Sequence, residues 1–166
     1  MNVALVVSHT CTAESLSSIS AAFTNLAERI SMQLQRYVLM LEEDPDDRQI
    51  TQTVINDLNI DVQLHFVKYS HELFNKLQEE NKPSLILIDY NATPSPAVEV
   101  LKELRSKNEY RHIPTVVLGE GLPEHFIKEC YALGANSYIL KPSSEKATEE
   151  KIETFFRYWL NVVEMA

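Results

Sequence analysis

The sequence predicts an α/β fold: an open, doubly wound (βα)5 sandwich in three layers, with a parallel sheet ordered 2-1-3-4-5. Three observations lead there. Residues 37–166 alternate between short apolar runs and longer stretches with helical spacing, five of each. The runs are continuously apolar, as strands buried on both faces of a parallel sheet must be. A closed eight-unit barrel would need roughly 250 residues, far more than this region holds.

The predicted strands are YVLML (37–41), VQLHFV (62–67), LILI (85–88), PTVVL (114–118) and SYIL (137–140). Between them, Ile50, Val54, Ile55 and Leu58 form one helical stripe, and Leu73, Phe74 and Leu77 a second. Val98, Leu101 and Leu104 form a third; Phe126, Ile127, Cys130, Tyr131 and Leu133 form a fourth. Ile152, Phe155, Phe156, Trp159 and Val163 form the last. That helix carries Phe155, Phe156, Tyr158 and Trp159 within five positions, more than one helix easily buries. The excess predicts a homodimer through the C-terminal helix. Residues 1–36 stand apart as an N-terminal extension. Leu16, Ile19, Phe23, Leu26 and Ile30 are spaced 3, 4, 3 and 4, which predicts a helix from about 13 to 36. Thr12 is its candidate cap.

Composition bounds the partners. Only 3 glycines in 166 residues exclude collagen and glycine-rich β-sandwiches. No run approaches 18 apolar residues, and the N-terminus lacks a basic start with a long apolar core, so neither a transmembrane helix nor a signal peptide is expected. Cys11 and Cys130 form no disulfide framework, which favours reduced thiols and a cytoplasmic location. Glu14, Glu28, Arg29 and Arg36 cancel within residues 1–36, so the whole net charge of −9 falls on the (βα)5 region. Such a surface repels phosphate backbones, and no nucleic acid is expected as partner. His9, His65, His71, His112 and His125 show no metal-ligand spacing.

Chemistry in such sheets gathers beyond the C-terminal ends of the strands. The first strand is followed by Glu42-Glu43-Asp44-Pro45-Asp46-Asp47, the third by Asp89, and the fifth by Lys141-Pro142. The C-terminal ends of strands one, three and five share one edge of the predicted parallel sheet, so carboxylates and one ammonium converge in a crevice. Crowded carboxylates resist joint ionisation unless a cation relieves them. Oxygen-only ligands suit Mg²⁺, and an exposed aspartate beside a metal and a lysine can attack phosphorus. Each piece also has a plainer reading. The acids at 43–47 suit the first turn of a helix, and Asp46 and Asp47 are read that way.

Residues 37–166 resemble the receiver domain of two-component response regulators, a flavodoxin-like fold. The motifs that carry the resemblance are LMLEEDPDDR (39–48), LILIDYN (85–91), HIPTVVL (112–118) and YALGANSYILKP (131–142). The resemblance implies Asp89 as the phospho-acceptor and Lys141 as the phosphoryl contact. It implies Mg²⁺ held by Glu43, Asp44, Asp89 and the backbone carbonyl of Asn91. Tyr138 takes the place of the aromatic switch residue, and the Lys141–Pro142 bond is often cis in this family. A histidine kinase and a downstream protein target are the implied partners. A narrower resemblance, to single-domain regulators paired with phytochrome-type kinases, rests on CYALGANSYILKP and FFRYWL.

Three departures qualify it. Gly119 follows Leu118 where receivers carry Thr or Ser, whose hydroxyl bonds the phosphoryl oxygen. The loop after Asp89 has Thr93 and Pro94 where proline and then glycine are usual, and Glu43 replaces the commoner Asp. A hydrogen bond to a charged oxygen contributes roughly 1.5–3 kcal/mol. Its loss would weaken a conformational shift about tenfold. The Thr93 hydroxyl, or a backbone N–H of a flexible Gly119–Gly121 loop, is a candidate substitute.

The leading expectation is therefore a single-domain regulator that is not primarily an enzyme and signals by protein contact. The alternative is a receiver-shaped interaction module in which phosphorylation is lost or uncoupled. A haloacid-dehalogenase-like phosphatase is a third reading of Asp89-Tyr-Asn-Ala-Thr93, weakened because Asn91 cannot serve as general acid.

Overall fold

The computed structural model describes residues 37–121 and 123–164. The chain divides into two units, Met1–Gln35 and Arg36–Ala166. The helix expected from about 13 to 36 lies outside the described residues. The second unit runs β1 (Tyr37–Leu41), α1 (Pro45–Asp57), β2 (Gln63–Val67), α2 (Ser70–Gln78), β3 (Leu85–Asp89), α3 (Ala97–Ser106), β4 (Thr115–Gly119), α4 (Glu124–Ala132), β5 (Ser137–Leu140) and α5 (Glu145–Asn161). All four strand pairs are parallel, and the order is β2-β1-β3-β4-β5, as the alternation predicts.

Side chains alternate across a strand, so each central strand serves both layers. Leu39, Leu41, Ile86, Ile88 and Val117 face one way and pack with Leu73, Leu77, Leu101, Leu104 and Cys130 from α2, α3 and α4. Val38, Met40, Leu85, Leu87 and Val116 face the other way and pack with Ile55 of α1 and with Phe156 and Trp159 of α5. Burying one such side chain contributes about 1.5–3 kcal/mol. This two-sided demand is why β1 and β3 are apolar without interruption, whereas the edge strands β2 and β5 are only half-buried.

The element bounds shift at two informative places. Asp89 and Gly119 are the last residues of β3 and β4 rather than the first loop residues beyond them. Two stripe residues are exposed. Leu58 lies past the end of α1, and Tyr131 stands at the outer edge of the sheet. There the Tyr131 hydroxyl accepts from the Tyr138 N–H at 3.1 Å, satisfying a donor that edge strand β5 has no further strand to pair with. Among the described residues of α4 only Cys130 is fully buried, so that helix is the least firmly seated. Beyond α4, Gly134 has φ +91°, a left-handed conformation suited to glycine, and its carbonyl accepts from Arg105 of α3.

The aromatic crowding of α5 resolves within the fold. Phe156 and Trp159 are buried, and Phe155 packs against the same cluster, because positions 155, 156 and 159 share one helix face. Tyr158 is left exposed. The crowding that suggested a dimer is thereby largely relieved. No helix among the described residues is long and apolar enough to cross a membrane.

The packing predicts a sharp contrast along α5. Phe156→Ala should cost about 3–5 kcal/mol, read as a lowered urea midpoint at unchanged slope. Tyr158→Ala should stay within about 0.5 kcal/mol. Equal losses would contradict the assignment of the buried face.

Candidate functional site

The parallel sheet brings the C-terminal ends of β1, β3 and β5 to one edge, and a single ammonium joins them. Lys141 follows β5, its N–H donating to the Gly119 carbonyl at 2.7 Å so that the ladder runs one residue further. Its Nζ lies 2.6 Å from Asp89 Oδ1, 2.7 Å from Asp47 Oδ2 and 2.8 Å from Glu42 Oε2. Three carboxylates thus share the three N–H donors of one lysine.

Each acid is placed by local structure. Asp89 closes β3, and its Oδ2 accepts from the Asn91 N–H at 2.8 Å. Glu42 prolongs β1, donating its N–H to the Val67 carbonyl at 3.1 Å. Its side chain is only 2% exposed, and its Oε1 accepts from the Asp44 N–H at 3.0 Å. Arg48 Nε donates to the Glu42 carbonyl at 2.6 Å, tying α1 to the end of β1. Asp47 sits in the first turn of α1, where acids favour the helix dipole, and there it also reaches Lys141.

Burial alone would pull the Lys141 ammonium down. Its hydrogen bonds to Asp47, Asp89 and Glu42 outweigh this and hold it above the ordinary lysine range, charged at all working pH values. Burial pushes the Glu42 carboxyl up, and the Lys141 and Asp44 hydrogen bonds offset this only in part. The cluster is therefore an ion-paired knot with excess negative charge.

Two residues of the metal set expected from sequence have hydrogen-bond partners in this geometry. Asp44 is the N-cap of α1, its Oδ1 accepting from the N–H groups of Asp46 at 2.8 Å and Asp47 at 3.5 Å. The helix terminus thus engages one oxygen, Oδ1, of a carboxylate that sequence offered to a metal. Glu43 is held at its Oε2 by the Thr93 hydroxyl at 2.6 Å. Thr93 is therefore already committed to Glu43, and Thr93–Pro94 is the cis peptide among the described residues. Lys141–Pro142, expected to be cis, is trans. No group of three His, Cys, Asp or Glu side chains among the described residues is arranged to hold a metal ion. The donors are all oxygen, as a hard cation requires, but Lys141 stands among them and Glu43 is turned to Thr93.

Sequence reasoning missed Glu42 and gave Asp47 only a helix-starting role. The signal for Glu42 was available. The residue directly after the apolar run is Asp89 on the third strand and Lys141 on the fifth, and the same rule on the first strand selects Glu42. Nothing in the local sequence distinguishes Asp47 from Asp46.

Gly119 is not a flexible turn. It is buried at the end of β4, and a Cβ built on it would lie 2.1 Å from Tyr138 Oη, 2.9 Å from Tyr138 Cζ and 3.1 Å from Tyr90 Cβ. The Tyr138 hydroxyl fills the space that a side chain at 119 would take, and it donates to the Glu120 carbonyl at 3.1 Å. Tyr138 also packs edge-on against Tyr90, at a ring separation of 6.5 Å, and Tyr90 against Phe126 at 5.9 Å. By contrast, a Cβ on Gly121 would meet nothing within 4 Å.

Comparison with known proteins decides the family. The response regulator receiver domain model matches residues 38–153. The chain belongs to that family. Response regulator Rcp1 of Synechocystis sp. is 26% identical over 134 residues, covering 77% of this chain and 91% of that protein. Chemotaxis protein CheY1 of Helicobacter pylori is 24% identical over 117 residues, covering 70% and 93%. The crystal structure of the Mn²⁺-bound form of Rcp1 superposes with a TM-score of 0.72 at 26% identity, over 79% of this chain and 99% of that chain. The phosphorylated cyanobacterial phytochrome response regulator RcpA superposes at 0.73 with 23% identity, over 79% and 98%, a likeness of fold. Membership sets aside the phosphatase reading of Asp89 to Thr93.

The shared space at 119 and 138 yields a test. Gly119→Ala should expel the Tyr138 ring from the β4 end, seen as altered Tyr138 resonances, and cost about 1–3 kcal/mol. In a Tyr138→Ala background the cost should largely disappear. Strictly additive losses would show that the two positions do not compete for one space.

Proposed function

We propose that this receiver accepts a phosphoryl group on Asp89 from a histidine kinase and signals by protein contact. The observation that carries the reading is the 2.6 Å contact between Lys141 Nζ and Asp89 Oδ1 at the C-terminal edge of the sheet. An Asp89 carboxylate oxygen forms the bond to phosphorus as the phosphorus–nitrogen bond of the donor phosphohistidine breaks. The imidazole leaves with the electron pair and regains its proton from water. Lys141 then donates an N–H to a phosphoryl oxygen.

The oxygen donors fit Mg²⁺, which when bound would neutralise charge on the phosphoryl oxygens. Glu42, Glu43, Asp89 and the Asn91 carbonyl are the residues we assign to hold it, with Asp44 left to its helix. The kinase we assign is of the phytochrome type, on the likeness to Rcp1 and RcpA. The setting is cytoplasmic, with a downstream protein target. A homodimer through the C-terminal helix would use the exposed Tyr158 and Val162.

One observation favours a second reading. Tyr138 already occupies the space beside Gly119, so phosphorylation has no hydroxyl there to draw inward and no cavity to offer the ring. In that reading the receiver is an interaction module in which phosphorylation and surface are uncoupled.

Incubation with Mg²⁺ and acetyl phosphate, followed by intact mass, tests the first reading. Wild type should gain one phosphoryl group, and Asp89→Asn none. Removal of Mg²⁺ with a chelator should abolish the gain. No gain in wild type would leave the second reading standing alone.

A further inference from the structure

The Lys141 ammonium is fully subscribed. Its three donors go to Glu42, Asp47 and Asp89, at 2.8, 2.7 and 2.6 Å. Two of these acceptors belong to the sheet edge and are nearly closed off from water, with side chains 2% and 10% exposed. Asp47 differs. It comes from the first turn of α1, and its side chain is 41% exposed. A phosphoryl group arriving at Asp89 needs an N–H from this lysine, and every N–H is already donated. Of the three acceptors, Asp47 is the one water can replace at least cost.

We infer that Asp47 is a positioning residue that restrains Lys141 in the resting state and so slows phosphoryl transfer to Asp89. The inference rests on the proposed role of Asp89. Asp47 touches neither donor nor acceptor atom of the reaction and acts through the lysine. Its grip is that of a half-exposed ion pair, so its release should change a rate severalfold rather than by orders of magnitude.

The test is the rate of phosphorylation by acetyl phosphate with Mg²⁺, followed by intact mass in the full chain. Asp47→Asn keeps an acceptor oxygen but removes the charge, and should raise the rate about twofold to fivefold. Asp47→Glu should restore the wild-type rate. Asp46→Asn removes the neighbouring helix-start charge without a Lys141 partner, and should leave the rate within experimental error. The decisive arm is the Lys141→Met background, in which Asp47→Asn should have no further effect. A merely structural role for Asp47 would persist there. The inference is overturned if Asp47→Asn is no faster than wild type, or if its gain survives without Lys141. Failure of the wild type itself to take a phosphoryl group would instead overturn the functional proposal, and this inference with it.

Discussion

One lysine holds the working edge of this domain together. Glu42, Asp47 and Asp89 come from the end of β1, the first turn of α1 and the end of β3, and each would repel the others without the Lys141 ammonium among them. Glu42 is the most dependent, because a carboxylate 2% exposed has almost no water to solvate it. Removing one partner of such a buried pair typically costs about 3–5 kcal/mol, since the other is left charged and unpaired. With every donor of Lys141 engaged, the phosphoryl transfer proposed for Asp89 requires the exchange of one of these bonds.

A second constraint is one of volume. Gly119 is required by the Tyr138 hydroxyl, not by backbone angle, for the left-handed glycine among the described residues is Gly134. Tyr138, Tyr90 and Phe126 therefore form one packed row from β5 across the end of β3 to α4. The row reaches the helix with the fewest buried residues, which is where a partner surface would yield most readily. The absence of a side chain at 119 and the placement of the Tyr138 hydroxyl beside it are thus two sides of one packing arrangement.

Much of this was legible in the sequence. Continuous apolar runs fix strands buried on both faces, and five alternations with short loops leave few topologies other than 2-1-3-4-5. Asp89 and Lys141 were legible because each stands directly after such a run. Glu42 followed the same rule but was hidden by a row of acids, in which Glu43 and Asp44 seemed equally placed. Only the backbone shows that Asp44 caps α1 while Glu42 turns into the sheet edge. Asp47 and the pairing of Gly119 with Tyr138 were not legible. Both depend on contacts between residues far apart in the chain, which no local pattern encodes.

The most direct measurement is a crystal structure of the Mg²⁺-loaded protein treated with beryllium fluoride, a phosphoryl mimic. The account predicts the adduct on Asp89, with Lys141 Nζ turned to one of its fluorines. No adduct on Asp89, or an adduct that Lys141 ignores while remaining on Glu42 and Asp47, would contradict it.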